Sequence, residues 1–226
     1  QPQVIDRPPV RLYVEEAKAW REYASWPPPG SKPLRLFLGA GGMLDFAPAV
    51  ANGAARYTYD PADPTPSVHP PVLFSVEAKV REMSALERRP DTVSFTTAPL
   101  KADLEAIGPV SVELTVRSDR AHVDFYVCLC DVDHRGRAFK VCDGYVRTVL
   151  DGDEPSAVTI ECFPTAWRFA RGNAIRLIVA SGAFPRYARN LGTGEPLGEG
   201  ADMQSACQEI LFGPEAKSAL VLTRGA

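Results

Sequence analysis

Residues 110–117 read Val-Ser-Val-Glu-Leu-Thr-Val-Arg, with apolar and polar side chains alternating without a break. Successive side chains of a strand point to opposite faces, so this alternation describes a half-buried strand of an antiparallel sheet. The pattern recurs along the chain. Val123, Phe125, Val127 and Leu129 line one face of the next segment, and Asp124, Tyr126, Cys128 and Cys130 line the other. Residues 10–14, 34–38, 54–59, 93–97, 138–150, 158–163, 175–180, 208–212 and 218–222 add further strand-like runs. Glycines and 21 prolines punctuate them, and only residues 80–89, short and charged, suggest a helix. The chain therefore reads as all-β: a two-sheet β-sandwich of jelly-roll type with one short helix. Residues 1–226 suffice for one such domain, without internal repeats.

Several interruptions carry their own expectations. Asp143-Gly144 inside a strand suggests a bulge. Residues 15–26 carry Trp20 and Trp26 among charged residues and end in Pro27-Pro28-Pro29-Gly30, which forbids helix and favours an extended turn. Residues 164–173 read as a connector that begins at Pro164. Residues 60–91 form a long excursion that opens on Tyr59-Asp60-Pro61-Ala62-Asp63-Pro64 and carries an apolar tip, Val72-Leu73-Phe74. Excursions of that length in a compact domain tend to be functional or to form an interface.

Charge excludes some partners. With 25 basic and 28 acidic residues, the formal net charge is −3, which gives no electrostatic case for nucleic acid or an anionic membrane. No apolar run approaches the ~20 residues of a membrane-spanning helix. The five cysteines, Cys128, Cys130, Cys142, Cys162 and Cys207, lack paired zinc-site spacing and read as reduced thiols of a cytoplasmic protein.

No pattern nominates a catalytic centre. The nucleophile elbow of an α/β hydrolase needs Gly-x-Ser-x-Gly, and the nearest approach is Val179-Ala180-Ser181-Gly182-Ala183. His69, His122 and His134 stand apart from any triad pattern. Asp131-x-Asp133 resembles a calcium loop only in part, because position 12 is Cys142, so it reads as a hairpin turn in which aspartates cap backbone amides. Asp119, Asp124 and Asp143 read as ion-pair partners of Arg117, Arg120 and Arg147. No metal ligand set and no cofactor are expected.

The most distinctive stretch follows the strand at 175–180. Phe184-Pro185-Arg186-Tyr187-Ala188-Arg189-Asn190 stops the ladder and then offers three strong hydrogen-bonding side chains before Gly192-Thr193-Gly194. Two readings stay open. The donors bind an anionic ligand, or they tie the loop to carboxylates and carbonyls of the protein itself. Trp20, Trp26, Trp167 and Tyr187 would serve sugar stacking if they shared an exposed face.

Together these motifs resemble a known family. Residues 10–14 with Trp20-Arg21 and Trp26-Pro27, the Asp-Pro connector, Asp124-Phe125, Leu129-Cys130-Asp131-Val132, Gly136-Arg137, Cys142-Asp143-Gly144-x-x-Arg147 and the Phe184–Gly194 stretch all bear the likeness. The resemblance is to the C-terminal domain of the cocaine esterase and X-Pro dipeptidyl-peptidase family of serine hydrolases. It implies a galactose-binding-like jelly roll without catalytic residues of its own. It implies a partner in the same polypeptide, an α/β-hydrolase domain absent from this chain that bears the serine, aspartate and histidine. It also implies that Leu73 and Phe74 wall part of the substrate pocket, and that Phe184, Pro185, Arg186, Arg189 and Asn190 form a structural or interdomain loop. The chain departs from the family at Glu15-Glu16, where relatives tend to carry glycine, and at His69-Pro70-Pro71. An independent carbohydrate- or ligand-binding module is the alternative, and self-association stays open.

Overall fold

Thirteen strands order the computed structural model, which describes residues 7–68, 82–152, 154–196 and 198–225. They are β1 (Val10–Val14), β2 (Ala19–Tyr23), β3 (Lys32–Gly39), β4 (Met43–Asp45), β5 (Gly53–Tyr59), β6 (Thr92–Thr96), β7 (Leu104–Ser118), β8 (His122–Val132), β9 (Ala138–Val149), β10 (Ser156–Phe169), β11 (Ala174–Ala180), β12 (Ala206–Phe212) and β13 (Ala219–Arg224). Strands β1 and β2 form a separate two-stranded hairpin. The other eleven run in the order β10-β9-β8-β11-β6-β4-β3-β13-β7-β12-β5, and β10 also pairs with β7. That extra pairing folds the sheet back on itself into a jelly-roll-like sandwich, so few edges are left open.

The alternation predicts the core. Val110, Val112, Leu114 and Val116 of β7 pack with Val123, Phe125, Val127 and Leu129 of β8 and with Ile175, Leu177 and Val179 of β11. The opposite face of β8 and β11 is buried too. Tyr126, Cys128, Cys130 and Val132 join Ile178 and Ala180 beneath Met83, Leu86 and Ala183, with Tyr145 and Tyr187 alongside. This second cluster makes β8 a strand buried on both sides, which the half-buried reading did not anticipate.

Four local expectations change. Of the expected helix 80–89, residues 80 and 81 lie outside the described residues, Glu82 bridges Phe139 and 84–88 are turns, and the one helical element among the described residues is a 3-10 turn at Ala40–Gly42. Residues 15–26, read without a strand, contain one, because 19–23 pair with β1 as β2. Strand β10 continues past Pro164 to Phe169, and a register shift between Cys162 and Thr165 leaves the proline out of the pairing without ending the strand. The irregularity in β9 lies opposite Leu129 and Cys130, not at Asp143-Gly144. Gly144 answers a different need: a Cβ there would stand 2.5 Å from the Glu161 carbonyl oxygen of β10. The five cysteines carry free thiols. No helix among the described residues is long and apolar enough to cross a membrane.

Candidate functional site

Strand β11 ends at Ala180, and residues 183–194 turn back across the outer face of β8 and β9. Two carboxylates wait there, on alternate positions of neighbouring strands. Asp124, 2% exposed, accepts hydrogen bonds from Tyr145 Oη at 2.6 Å, Arg147 Nε and Nη2 at 2.8 and 2.7 Å, and Asn190 Nδ2 at 2.8 Å. Asp143 accepts from Tyr126 Oη at 3.0 Å, from Lys140 Nζ at 2.6 Å and from Arg186 Nη1. Desolvating a carboxylate costs several kcal/mol, and such converging charged and hydroxyl donors are what offsets it. The hydrogen bond to Asp124 holds the Arg147 guanidinium above its ordinary value. Burial, with Asp124 alongside, raises the Tyr145 phenol as well.

The loop is fixed at several further points. Arg147 Nη2 donates to the Ala188 carbonyl at 2.8 Å, and the Asn190 side-chain oxygen accepts from Gly192 N–H at 2.9 Å. Tyr187 stacks on Tyr145 with ring centroids 4.0 Å apart, and the Arg186 guanidinium lies 5.2 Å from the Tyr187 ring centroid. At the start of the loop, Phe184 N–H donates to the Thr65 carbonyl and the Ser67 N–H to the Phe184 carbonyl, which joins it to the Asp-Pro connector.

The candidate residues thus divide. Arg186 and Asn190 converge on the two buried aspartates. Arg189 is exposed and reaches only the Pro61 carbonyl, at 3.3 Å. Phe184 is 41% exposed, and Pro185 beside it is exposed as well. Leu73 and Phe74 lie outside the described residues. A cleft of about 590 Å³ opens beside the loop, lined by His122, Arg147, Phe184, Arg189, Thr193 and Met203 among others. Asp124, Asp143 and Arg147 were legible as ion-pair residues, but their partners in the loop, 66 and 43 residues away, were not.

The remaining candidates have other occupations. Ser181 is buried and its hydroxyl lies 3.0 Å from Tyr57 Oη. Burial pushes the Cys130 thiol well above its ordinary value, and the Cys142 thiol's hydrogen bond to Cys162, together with burial, does the same for Cys142. Both are therefore protonated at neutral pH and poor nucleophiles. Asp133 caps the N–H groups of Arg135 and Arg137, as the hairpin-turn reading requires. Asp131 does not cap the turn. It lies in β8 and accepts from Trp167 Nε1 at 3.0 Å and Asn173 Nδ2 at 2.9 Å, with burial raising its carboxyl above the usual range. Arg117 pairs with Glu209, Arg120 donates to the Ser205 carbonyl, and Asp119 accepts from Cys207 N–H, so these three do not pair with one another. Trp167 is buried, and Tyr187 is stacked on Tyr145 with the Arg186 guanidinium 5.2 Å from its ring centroid, so both rings are already engaged within the protein. Among the described residues, no histidine is hydrogen-bonded to a serine or a carboxylate, and no three His, Cys, Asp or Glu side chains cluster as metal ligands do.

What the arrangement does chemically is fasten a loop to a sheet. Comparison with known proteins agrees in placing the whole chain. The model of the X-Pro dipeptidyl-peptidase C-terminal non-catalytic domain matches residues 2–221. The cocaine esterase of Rhodococcus sp. strain MB1 Bresler is 32% identical over 237 residues, which is 95% of this chain and 41% of that protein. A solved α-amino acid ester hydrolase superposes with a TM-score of 0.86 at 28% identity, over 97% of this chain and 41% of its own. An aminopeptidase from the marine sediment archaeon Thaumarchaeota archaeon shares the fold, with a TM-score of 0.88 at 24% identity over 98% of this chain and 41% of its own. The chain thus spans about two fifths of the length of the relatives it matches.

Proposed function

This chain belongs to the family of X-Pro dipeptidyl-peptidase C-terminal non-catalytic domains, and on that premise we propose that it is the accessory jelly roll of a serine ester or amide hydrolase. In this reading residues 1–226 form one sandwich domain. An α/β-hydrolase domain in the same polypeptide carries the nucleophile, and this chain supports it and walls part of its substrate pocket, with Leu73 and Phe74 at that wall. Residues 184–190 serve as a structural loop that holds the outer face of the sandwich in one shape. The observation that carries the reading is the commitment of the chain's polar groups. Asp124, Asp143, Arg147, Arg186 and Asn190 are bonded to each other, and Ser181 is buried against Tyr57.

Two measurements test it. The gene product should carry about 300–350 residues ahead of this segment, with Gly-x-Ser-x-Gly among them, as a hydrolase domain with a helical cap requires. The purified 226-residue chain should show no turnover of simple esters. Ester hydrolysis by it that is abolished by a serine-reactive inhibitor would overturn the assignment.

A further inference from the structure

The β1–β2 hairpin stands apart from the main sheet, and its two faces differ. Val10, Leu12 and Val14 turn toward the body, where Val14 is fully buried. Arg11, Tyr13, Trp20 and Glu22 turn outward as two cross-strand pairs, Arg11 opposite Glu22 and Tyr13 opposite Trp20. The Tyr13 and Trp20 rings meet edge to face at 5.5 Å, the Arg11 guanidinium lies 4.6 Å from the Trp20 ring centroid, and Arg11 Nε is 3.6 Å from Glu22. Even so, Trp20 is 57% exposed and Tyr13 38%. Tryptophan, tyrosine and arginine are the side chains that carry most binding energy at protein interfaces, and here the three form one pre-arranged patch.

The hairpin is also held rigid. Glu15 N–H donates to the Ala166 carbonyl at 2.9 Å, Arg168 N–H donates to the Glu15 carbonyl at 3.0 Å and Arg168 Nη2 to the Glu16 carbonyl at 2.7 Å. Arg21 Nη2 bonds Glu105 at 3.2 Å. Its tip keeps two non-glycine residues in the left-handed region, Glu16 at φ 59° and Lys18 at φ 49°. Strain of this kind persists only where the surroundings enforce it. A patch fixed before it meets its partner loses less entropy on docking.

We propose that the outward face of this hairpin, centred on Trp20 and Tyr13, is the surface on which the hydrolase domain of the same polypeptide seats. The inference rests on the reading given under Proposed function. Its occupant follows from the family and from chain geometry. The matched family is a C-terminal domain and the chain covers 41% of its esterase relative, so most of such a polypeptide precedes β1. That preceding part joins the sandwich ahead of β1, so its attachment lies at the hairpin, the first strand pair, and covalent linkage raises its effective concentration there.

Hydroxyl-radical footprinting of the longer gene product tests the proposal, with protection read as the ratio of modification rates in the unfolded and native protein. Trp167, buried within the sandwich, sets the protected end of the scale. The expected result is that Trp20 is protected at least fivefold, approaching Trp167, at every protein concentration. A Trp20 rate within about twofold of the unfolded protein overturns the docking face, while a hydrolase domain in that same polypeptide leaves the accessory role standing. Protection of Trp20 that disappears on dilution also overturns it, because the occupant is then a second copy. A gene product no longer than this chain removes the accessory role itself.

Discussion

The loop at 184–194 and the hairpin at 10–23 both combine arginines with aromatic rings, yet they use them in opposite ways. In the loop, Arg186 and Asn190 reach inward to Asp143 and Asp124, and Tyr187 lies flat on Tyr145. In the hairpin, Arg11, Tyr13 and Trp20 assemble on the solvent side of β1 and β2. The loop carries fewer charges in sequence than the hairpin, yet it is the more committed in structure. The hairpin leaves its aromatic area uncovered. Availability therefore depends on what the opposite strand supplies, and not on the residue types alone.

Variants can break this comparison at several strengths. Asp124→Ala should have the largest effect, a loss of about 3 kcal/mol in urea denaturation, because it strands Arg147 and frees Asn190. Arg147 keeps about a third of its side chain in solvent, which holds the loss to the low end of what a broken buried pair costs. Asn190→Ala should cost about 1–2 kcal/mol, since it removes one bond to a charged acceptor and the turn to Gly192. If Asn190→Ala leaves stability unchanged, the loop is not held as described. Glu16→Gly in the hairpin should act in the other direction, gaining about 0.5–1 kcal/mol by relieving the left-handed backbone. Arg189→Ala should be the smallest, within about 0.5 kcal/mol, because the side chain is exposed with one long bond to Pro61. A loss there as large as that of Asn190→Ala would merge the two halves of the loop into one functional unit.

The fold was legible where alternation was strict. Strands β7 and β8 announce their inner faces residue by residue, and the core contains Val112, Leu114, Phe125 and Val127 as read. The sequence misled where local chemistry outweighed pattern. Strand β2 hides because Trp20 and Glu22 share its outer face with no apolar stripe. The second half of β10 hides behind Pro164, which a register shift accommodates. In residues 82–89 the charges suggested a solvated helix, but Met83 and Leu86 are buried on β8 and the backbone turns instead. Of the candidate loop, the donors could be read and the acceptors could not, because Asp124 and Asp143 become neighbours of Asn190 and Arg186 only when β11 returns beside β8. Gly144 was legible as special, but its reason lay on β10.

The proposed accessory role turns on one claim, that the reacting serine lies outside this chain. Labelling the longer gene product with a serine-directed fluorophosphonate and sequencing the labelled peptide tests that claim most directly. The account predicts stoichiometric label on a serine outside residues 1–226. Stoichiometric label on Ser181, or on any other serine within residues 1–226, would contradict it.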